Sequence, residues 1–240
     1  MVGQSRICLG CWEQKRIPIP IRGILSAPFR AVGVRPSRMH PDTCTLCETQ
    51  FERLMKGRQI TIDASVMFAD LRGYTSMSQS HSPEVVSEVL DAFYDEAAAA
   101  IWAHDGFIIK TMGDAVLAMF NFPLERDDYV KRTVTAARDL QKNWAERRVG
   151  VGGPGDALGI GIGLDCGALK FGEFGRAHSD LTAIGTVVNR AARAQAAAAP
   201  GEILVTEAVQ ARCGAGFIDA SGSTTHVLKG FDAPIHLWAA

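Results

Sequence analysis

Phe107-Ile108-Ile109-Lys110-Thr111-Met112-Gly113-Asp114-Ala115-Val116-Leu117-Ala118-Met119-Phe120-Asn121 reads as two strands, Phe107 to Met112 and Ala115 to Asn121, broken by Gly113-Asp114. Two residues make the tightest hairpin connection, and glycine as the first of them suits a type II′ turn. Asp114 therefore sits at the tip of a hairpin, at the open end of a sheet and not on a solvated helix face. Upstream, Ile60 to Ala69 is rich in β-branched and apolar residues and reads as a buried strand. It ends on a second carboxylate, Asp70, within Val66-Met67-Phe68-Ala69-Asp70-Leu71-Arg72-Gly73-Tyr74-Thr75. Hard divalent cations take oxygen ligands and use one or two protein carboxylates beside substrate phosphates. Two sheet-end aspartates are thus what a two-metal phosphoryl-transfer site needs.

Outward from these strands, Ser82-Pro83 reads as an N-cap followed by proline at the first helical position. The helix behind it carries Val86, Leu90, Phe93, Ala97 and Ile101 on one face and stops near Asp105-Gly106. Arg126 to Arg147 predicts a long helix and Gly150 to Gly155 a loop. Leu158 to Leu164 and Ala168 to Phe174 predict a second, glycine-rich hairpin. Gly185 to Ala198 predicts a helix, Ile203 to Val205 a strand, Glu207 to Cys213 a short helix, and Thr225–Leu228 and Ile235–Trp238 the closing strands. Helices alternating with strands, several joined as hairpins, indicate an α+β or mixed sandwich.

The chain has 240 residues, enough for one sizeable domain and a small appendage, and its 47% hydrophobic content is that of a globular core. No stretch reaches the roughly 18–20 consecutive apolar residues of a membrane span. Gln4, Arg6, Glu13 and Lys15 interrupt any apolar signal segment, so a cytoplasmic location is expected. The formal net charge of −1 conceals an asymmetry: residues 1–58 carry ten lysines and arginines against four acids, and the remainder 15 against 22. The basic arm is either a solvated face or a contact for an acidic partner or for the acidic remainder of the chain. It lacks the aromatic interleaving of a nucleic-acid binder.

That arm, spaced with Pro18, Pro20, Pro28, Pro36 and Pro41, predicts irregular structure with a short helix over Thr49 to Lys56. It also holds two CxxC pairs, Cys8/Cys11 and Cys44/Cys47, separated by 32 residues. In a reducing compartment such pairs favour metal over disulfide. Four thiolates suit tetrahedral Zn²⁺, with an iron–sulfur cluster or redox-active thiols as competitors. A metal would explain how a proline-rich segment without a core of its own folds. Cys166 and Cys213 read as small buried side chains.

Three stretches together resemble the class III nucleotidyl cyclases over about residues 60–240: Phe68 to Thr75, Lys110 to Val116, and Thr182-Ala183-Ile184-Gly185-Thr186-Val187-Val188-Asn189-Arg190-Ala191-Ala192-Arg193. The resemblance implies a ferredoxin-like, palm-type mixed sheet with packed helices over residues 59–240, beside a Cys-rich module over 1–58. It implies that Asp70, Asp114 and the carbonyl of Leu71 hold two Mg²⁺ or Mn²⁺ ions. Leu71, Arg72, Gly73, Tyr74 and Thr75 would cradle a triphosphate, and Lys110 and Thr182 would read the purine. Asn189 would orient the ribose and Arg193 stabilise charge on the α-phosphate. Lys110 is donor-only and matches adenine N1, while the Thr182 hydroxyl can accept from N6; ATP is favoured over GTP. Threonine at this position resembles the subgroup in which bicarbonate stimulation is known.

The resemblance further implies a homodimer with shared sites, since each motif occurs once: Asp70 and Asp114 of one chain would face Lys110, Thr182, Asn189 and Arg193 of the other. A two-fold interface of that kind is self-complementary. Two positions depart from the family pattern, Thr186 and Arg190, and altered packing or interface charge is expected there. The expected activity is conversion of ATP to 3′,5′-cyclic AMP and pyrophosphate in intracellular signalling, with the N-terminal module available to a regulatory partner. The rival readings are a guanylate cyclase, a diguanylate cyclase, against which stands the absence of a Gly-Gly-Asp/Glu-Glu-Phe run, and a catalytically silent, metal-stabilised nucleotide-binding or interaction module.

Overall fold

The structure is a computed structural model and describes residues 5–37, 39–151, 158–175, 177, 179–219, 221–227, 230–231 and 233–240, with backbone alone over 148–151. The chain divides into two compact units, Met1–Ile60 with Gly172–Thr182, and Thr61–Phe171 with Ala183–Ala240. Its strands are β1 (Gln59–Arg72), β2 (Phe107–Met112), β3 (Ala115–Phe120), β4 (Gly159–Phe174), β5 (Asp180–Ile184), β6 (Ile203–Thr206), β7 (Ser223–His226) and β8 (Ile235–Ala239). They form one eight-stranded sheet in the order β2-β3-β1-β4-β6-β8-β7, with β5 paired to β4 off that path. β1, β2 and β3 pair antiparallel, whereas β4 and β6 run parallel.

Alternation along the strands sorts the larger unit into layers. Met67, Ala69 and Leu71 of β1, Ile160, Ile162, Leu164 and Cys166 of β4, and Ile203 and Val205 of β6 all enter one core cluster. Against them pack α5 (Pro83–Ala103) through Phe93, Ala97 and Ile101, and α6 (Tyr129–Val151) through Val130, Val134 and Leu140. Pro83 occupies the start of α5 with Ser82 extended before it, as the Ser-Pro signal predicted, although the Ser82 side chain makes no capping hydrogen bond. The intervening residues Asp70 and Arg72, Gly161, Gly163 and Asp165, and Leu204 and Thr206 face the opposite side. There lies α7 (Thr186–Ala197), whose Ala194 packs with Leu204 and Leu237.

The expected hairpin over 158–174 is instead one strand of 16 residues, β4. Its glycines make close approaches and not turns. A Cβ at Gly161 would run into the Arg72 guanidinium, and one at Gly163 into the backbone of α7 at Ala191 and Gln195. The segment read as merely preceding the next helix is itself a strand, β5, and carries Thr182. The expected loop over Gly150 to Gly155 and the strand end at Leu228 fall wholly or partly outside the described residues.

The smaller unit is more helical than its prolines suggested. It has α1 (Leu9–Lys15), a 3₁₀ turn over Ile24–Ser26 leading into α2 (Ala27–Ala31), and α3 (Thr45–Met55), which starts one turn before the expected Thr49. Its core is small and consists mainly of Cys8, Cys11, Cys44, Ile21 and Val34. Arg22 ties its loops together, donating to the carbonyls of Ser5 and Pro41 (each 2.6 Å) and to Asp42 (2.8 Å). No described helix is long and apolar enough to cross a membrane.

Candidate active site

β1 and β3 bring the two aspartates together. Asp70 stands opposite Ala115 in the antiparallel register, and the Leu71 N–H donates to the Asp114 carbonyl at 3.0 Å. Gly113 takes φ 63° while Asp114 keeps negative φ, the signs that a type II′ turn requires. Burial, and then the charge of Asp114, hold the Asp70 carboxyl above the ordinary carboxylate range. Asp70 Oδ2 accepts hydrogen bonds from Arg72 Nη1 (3.2 Å) and Gln195 Nε2 (3.0 Å). Two like charges at one sheet end, one of them half-buried, disfavour ionisation unless a cation joins them.

Lys110 lies on β2, the edge strand, where a register shift between Ile108 and Lys110 marks a bulge. The bulge sets Lys110 opposite Leu117, and Leu117 in turn opposes Phe68, so Lys110 shares the sheet face of Asp70. Tyr94 on α5 steadies the turn by donating its hydroxyl to the Gly113 carbonyl.

The stretch expected to form one phosphate loop has three parts. Leu71 and Arg72 complete β1, Gly73 takes φ 87°, and Tyr74 and Thr75 begin α4 (Tyr74–Ser80). Arg72 is committed locally: besides Asp70, it donates to the Gln195 carbonyl on α7.

Asn189 and Arg193 lie on one exposed face of α7, and neither side chain has a partner among the described residues. Val187, Val188, Ala191 and Ala194 form the opposite, buried face. Two residues here escaped the sequence reading. Gln195 binds Asp70 across 125 positions of sequence, a pairing that no local pattern signals. Asp165 is 0% exposed and accepts from Arg190 Nε at 2.6 Å, while its other oxygen accepts from the Thr206 hydroxyl (2.6 Å) and the Cys166 N–H (2.8 Å). Arg190 was visible as a departure from the family pattern; its buried partner was not.

In the smaller unit, the four sulfurs of Cys8, Cys11, Cys44 and Cys47 lie within 4.8 Å of one another. The distances Cys8–Cys47 (3.6 Å), Cys11–Cys44 (3.6 Å), Cys11–Cys47 (3.4 Å) and Cys44–Cys47 (3.8 Å) are far beyond a disulfide bond. A Zn–S bond of about 2.3 Å in a tetrahedron implies sulfurs about 3.8 Å apart, so the cluster has the dimensions of a one-ion S₄ site. The Cys11 N–H points at Cys8 Sγ (3.4 Å), an outer hydrogen bond of the sort that orients metal ligands. Burial pushes the Cys11 thiol up to about 12, whereas hydrogen bonds from Cys47 and Cys8 draw Cys44 down to about 2. A divalent cation would hold all four as thiolates. Cys166 and Cys213 are buried in the larger core, as expected of them.

Residues 58–232 match the family described as the adenylate and guanylate cyclase catalytic domain. The chain belongs to that family. It is 32% identical over 162 residues to an adenylate cyclase of Anabaena cylindrica, covering 66% of this chain and 32% of that protein. It is 29% identical over 204 residues to an uncharacterized protein of Mycobacterium tuberculosis, covering 85% of this chain and 48% of the relative. The chain thus spans less than half the length of either. Among solved structures it resembles the guanylyl cyclase Cya2, with a TM-score of 0.68 at 27% identity, covering 75% of this chain and 92% of that one.

Proposed function

We propose that this chain is an adenylate cyclase domain, in which the ribose 3′-hydroxyl of ATP attacks the α-phosphorus, forming 3′,5′-cyclic AMP and releasing pyrophosphate. The observation that carries the reading is the Asp70–Asp114 pair, two carboxylates on adjoining strand ends whose mutual repulsion and burial call for a cation. Asp70, Asp114 and the Leu71 carbonyl fit Mg²⁺ or Mn²⁺, since all are oxygen donors. Bound there, the two ions supply Lewis-acid polarisation of the phosphates. Arg193 meets the charge that develops on the α-phosphate, Asn189 holds the ribose, and Gly73, Tyr74 and Thr75, at the start of α4, hold the triphosphate through backbone N–H groups. Arg72 serves this loop chiefly by fixing Asp70.

Choice of base rests on Lys110 and Thr182, because the similar proteins include an adenylate and a guanylyl cyclase. A lysine ammonium only donates, which suits adenine N1 and opposes the N1–H of guanine.

The working unit is a homodimer with two shared sites. The exposed, unpartnered Asn189 and Arg193 support this, as does the single copy of each motif. The cysteine cluster holds one structural Zn²⁺, supported by its sulfur spacing. ATP and metal-bound thiolates both belong to a reducing, nucleotide-containing cytoplasm.

Purified chain with Mn²⁺–ATP should yield cyclic AMP, and with Mn²⁺–GTP far less cyclic GMP. Asp70→Ala and Arg193→Ala chains should each be silent alone. Mixed together they should regain part of the activity, because one heterodimer site keeps both halves intact. Silence of the mixture, with both variants folded, refutes the shared site.

A further inference from the structure

α7 presents Asn189 and Arg193, and its C-terminal end is held through Gln195 by Asp70 and Arg72, yet little in the packing of its first two turns fixes their direction. Five of its 12 residues are alanine, and its buried face is only Val187, Val188, Ala191 and Ala194. Small side chains make a smooth surface on which a helix can turn or slide, because few ridges interlock. At about 100° per residue, Arg193 stands about 40° round the helix from Asn189, and Arg190 about 100° round, at the rim of the buried face.

At that rim Arg190 reaches down, 32% exposed, to a carboxylate that is wholly buried. Asp165 is itself held from both sides of β4. Its carboxylate takes the Thr206 hydroxyl of β6 and the Cys166 N–H, and its carbonyl accepts from the buried Ser65 hydroxyl of β1 at 3.2 Å. The residue that accepts from Arg190 is therefore anchored within β4 and to both neighbouring strands, β1 and β6. A charged, hydrogen-bonded contact of this kind has one good geometry, unlike an alanine face.

We infer that Arg190 and Asp165 are a positioning pair that sets the rotation of α7, and through it the aim of Asn189 and Arg193 at the nucleotide. Neither member touches the reacting atoms. The inference rests on the functional reading above. It also accounts for the departure from the family pattern at Arg190: the charge belongs to the inside of the subunit and not to an interface.

The test compares wild type, Arg190→Met, Asp165→Asn, the double variant and Arg190→Lys, measuring kcat and KM for Mn²⁺–ATP together with Tm. Arg190→Met strands a buried carboxylate and should lower both Tm and kcat. The double variant removes the stranded charge and should recover most of the Tm. Its kcat should stay about tenfold or more below wild type with KM within about threefold, the pattern of mis-aimed transition-state groups. Arg190→Lys keeps the charge but not the guanidinium geometry; it should keep its Tm and lose several-fold in kcat. A pair that only stabilises the fold would instead return kcat and Tm together. Wild-type kcat in the double variant, or in Arg190→Lys should the double variant not fold, overturns the inference. A wild-type chain that forms no cyclic nucleotide overturns the functional reading and the pair's role with it.

Discussion

Gly163→Ala is the smallest change that should move α7 as a body. A Cβ at this position would lie 2.7 Å from Gln195 Cα, and closer still to Gln195 N and Ala191 O. Carbon atoms at rest sit about 3.5 Å or more apart, so the helix must retreat by about 0.8 Å. The obstacle is backbone, which no rotamer change relieves. Overpacking of this kind costs about 1–3 kcal/mol, against which alanine's better strand propensity returns at most about 1 kcal/mol. At about 2–4 °C per kcal/mol for a chain of this size, Tm should fall by several degrees. Activity should suffer more than stability, because displacements near 1 Å cost about a hundredfold in well-aligned sites. The assays are thermal unfolding and steady-state kinetics with Mn²⁺–ATP, the loss appearing in kcat and not in KM. A variant with raised Tm and undiminished kcat would refute the placement of α7 on β4.

Burial, and then the charge of Asp114, hold the Asp70 carboxyl above its ordinary value, and Asp114→Asn removes the second of these causes. A carboxyl whose native pKa is raised binds its proton more tightly folded than unfolded, so its stability contribution is present at low pH. That contribution declines as pH rises through the unfolded and then the folded value. In the metal-free protein, Asp114→Asn should therefore raise Tm at neutral pH and flatten its fall across the carboxylate range, while abolishing stabilisation by Mn²⁺; an unchanged Tm–pH curve would contradict this. Lys110→Glu replaces a donor by an acceptor and should raise the ratio of GTP to ATP turnover at least tenfold by lowering ATP turnover, as measured by product chromatography. Metal analysis should find about one zinc per chain, lost in Cys47→Ser together with protection of residues 5–60 from proteolysis; full protection without zinc would refute the structural role.

The carboxylate pair, the Gly113-Asp114 turn and α5 were legible because each depends on a local signal: a two-residue break between apolar runs, or Ser-Pro before a periodic helix. β4 was misread for the converse reason. Gly161 and Gly163 look like turn residues in sequence, and only the Arg72 guanidinium and α7, brought in from distant positions, show that the missing side chains make room. The same non-locality hid the Gln195–Asp70 and Arg190–Asp165 contacts. The cysteines were legible as one set from their pairing, but the closure of a 32-residue gap into one four-sulfur cluster depends on how α1 and α3 fold.

The bulge in β2 has a consequence for solubility. β2 is an outermost strand, and such strands carry unpaired N–H and C=O groups that can recruit a second sheet edge to edge. A register shift at Ile109, followed at once by a lysine, breaks the regular spacing that such pairing needs. The irregularity that sets Lys110 on the face of Asp70 thus also guards the chain against open-ended aggregation. A variant that straightens β2 by deleting Ile109 keeps Lys110 opposite Leu117 and should aggregate more readily than wild type.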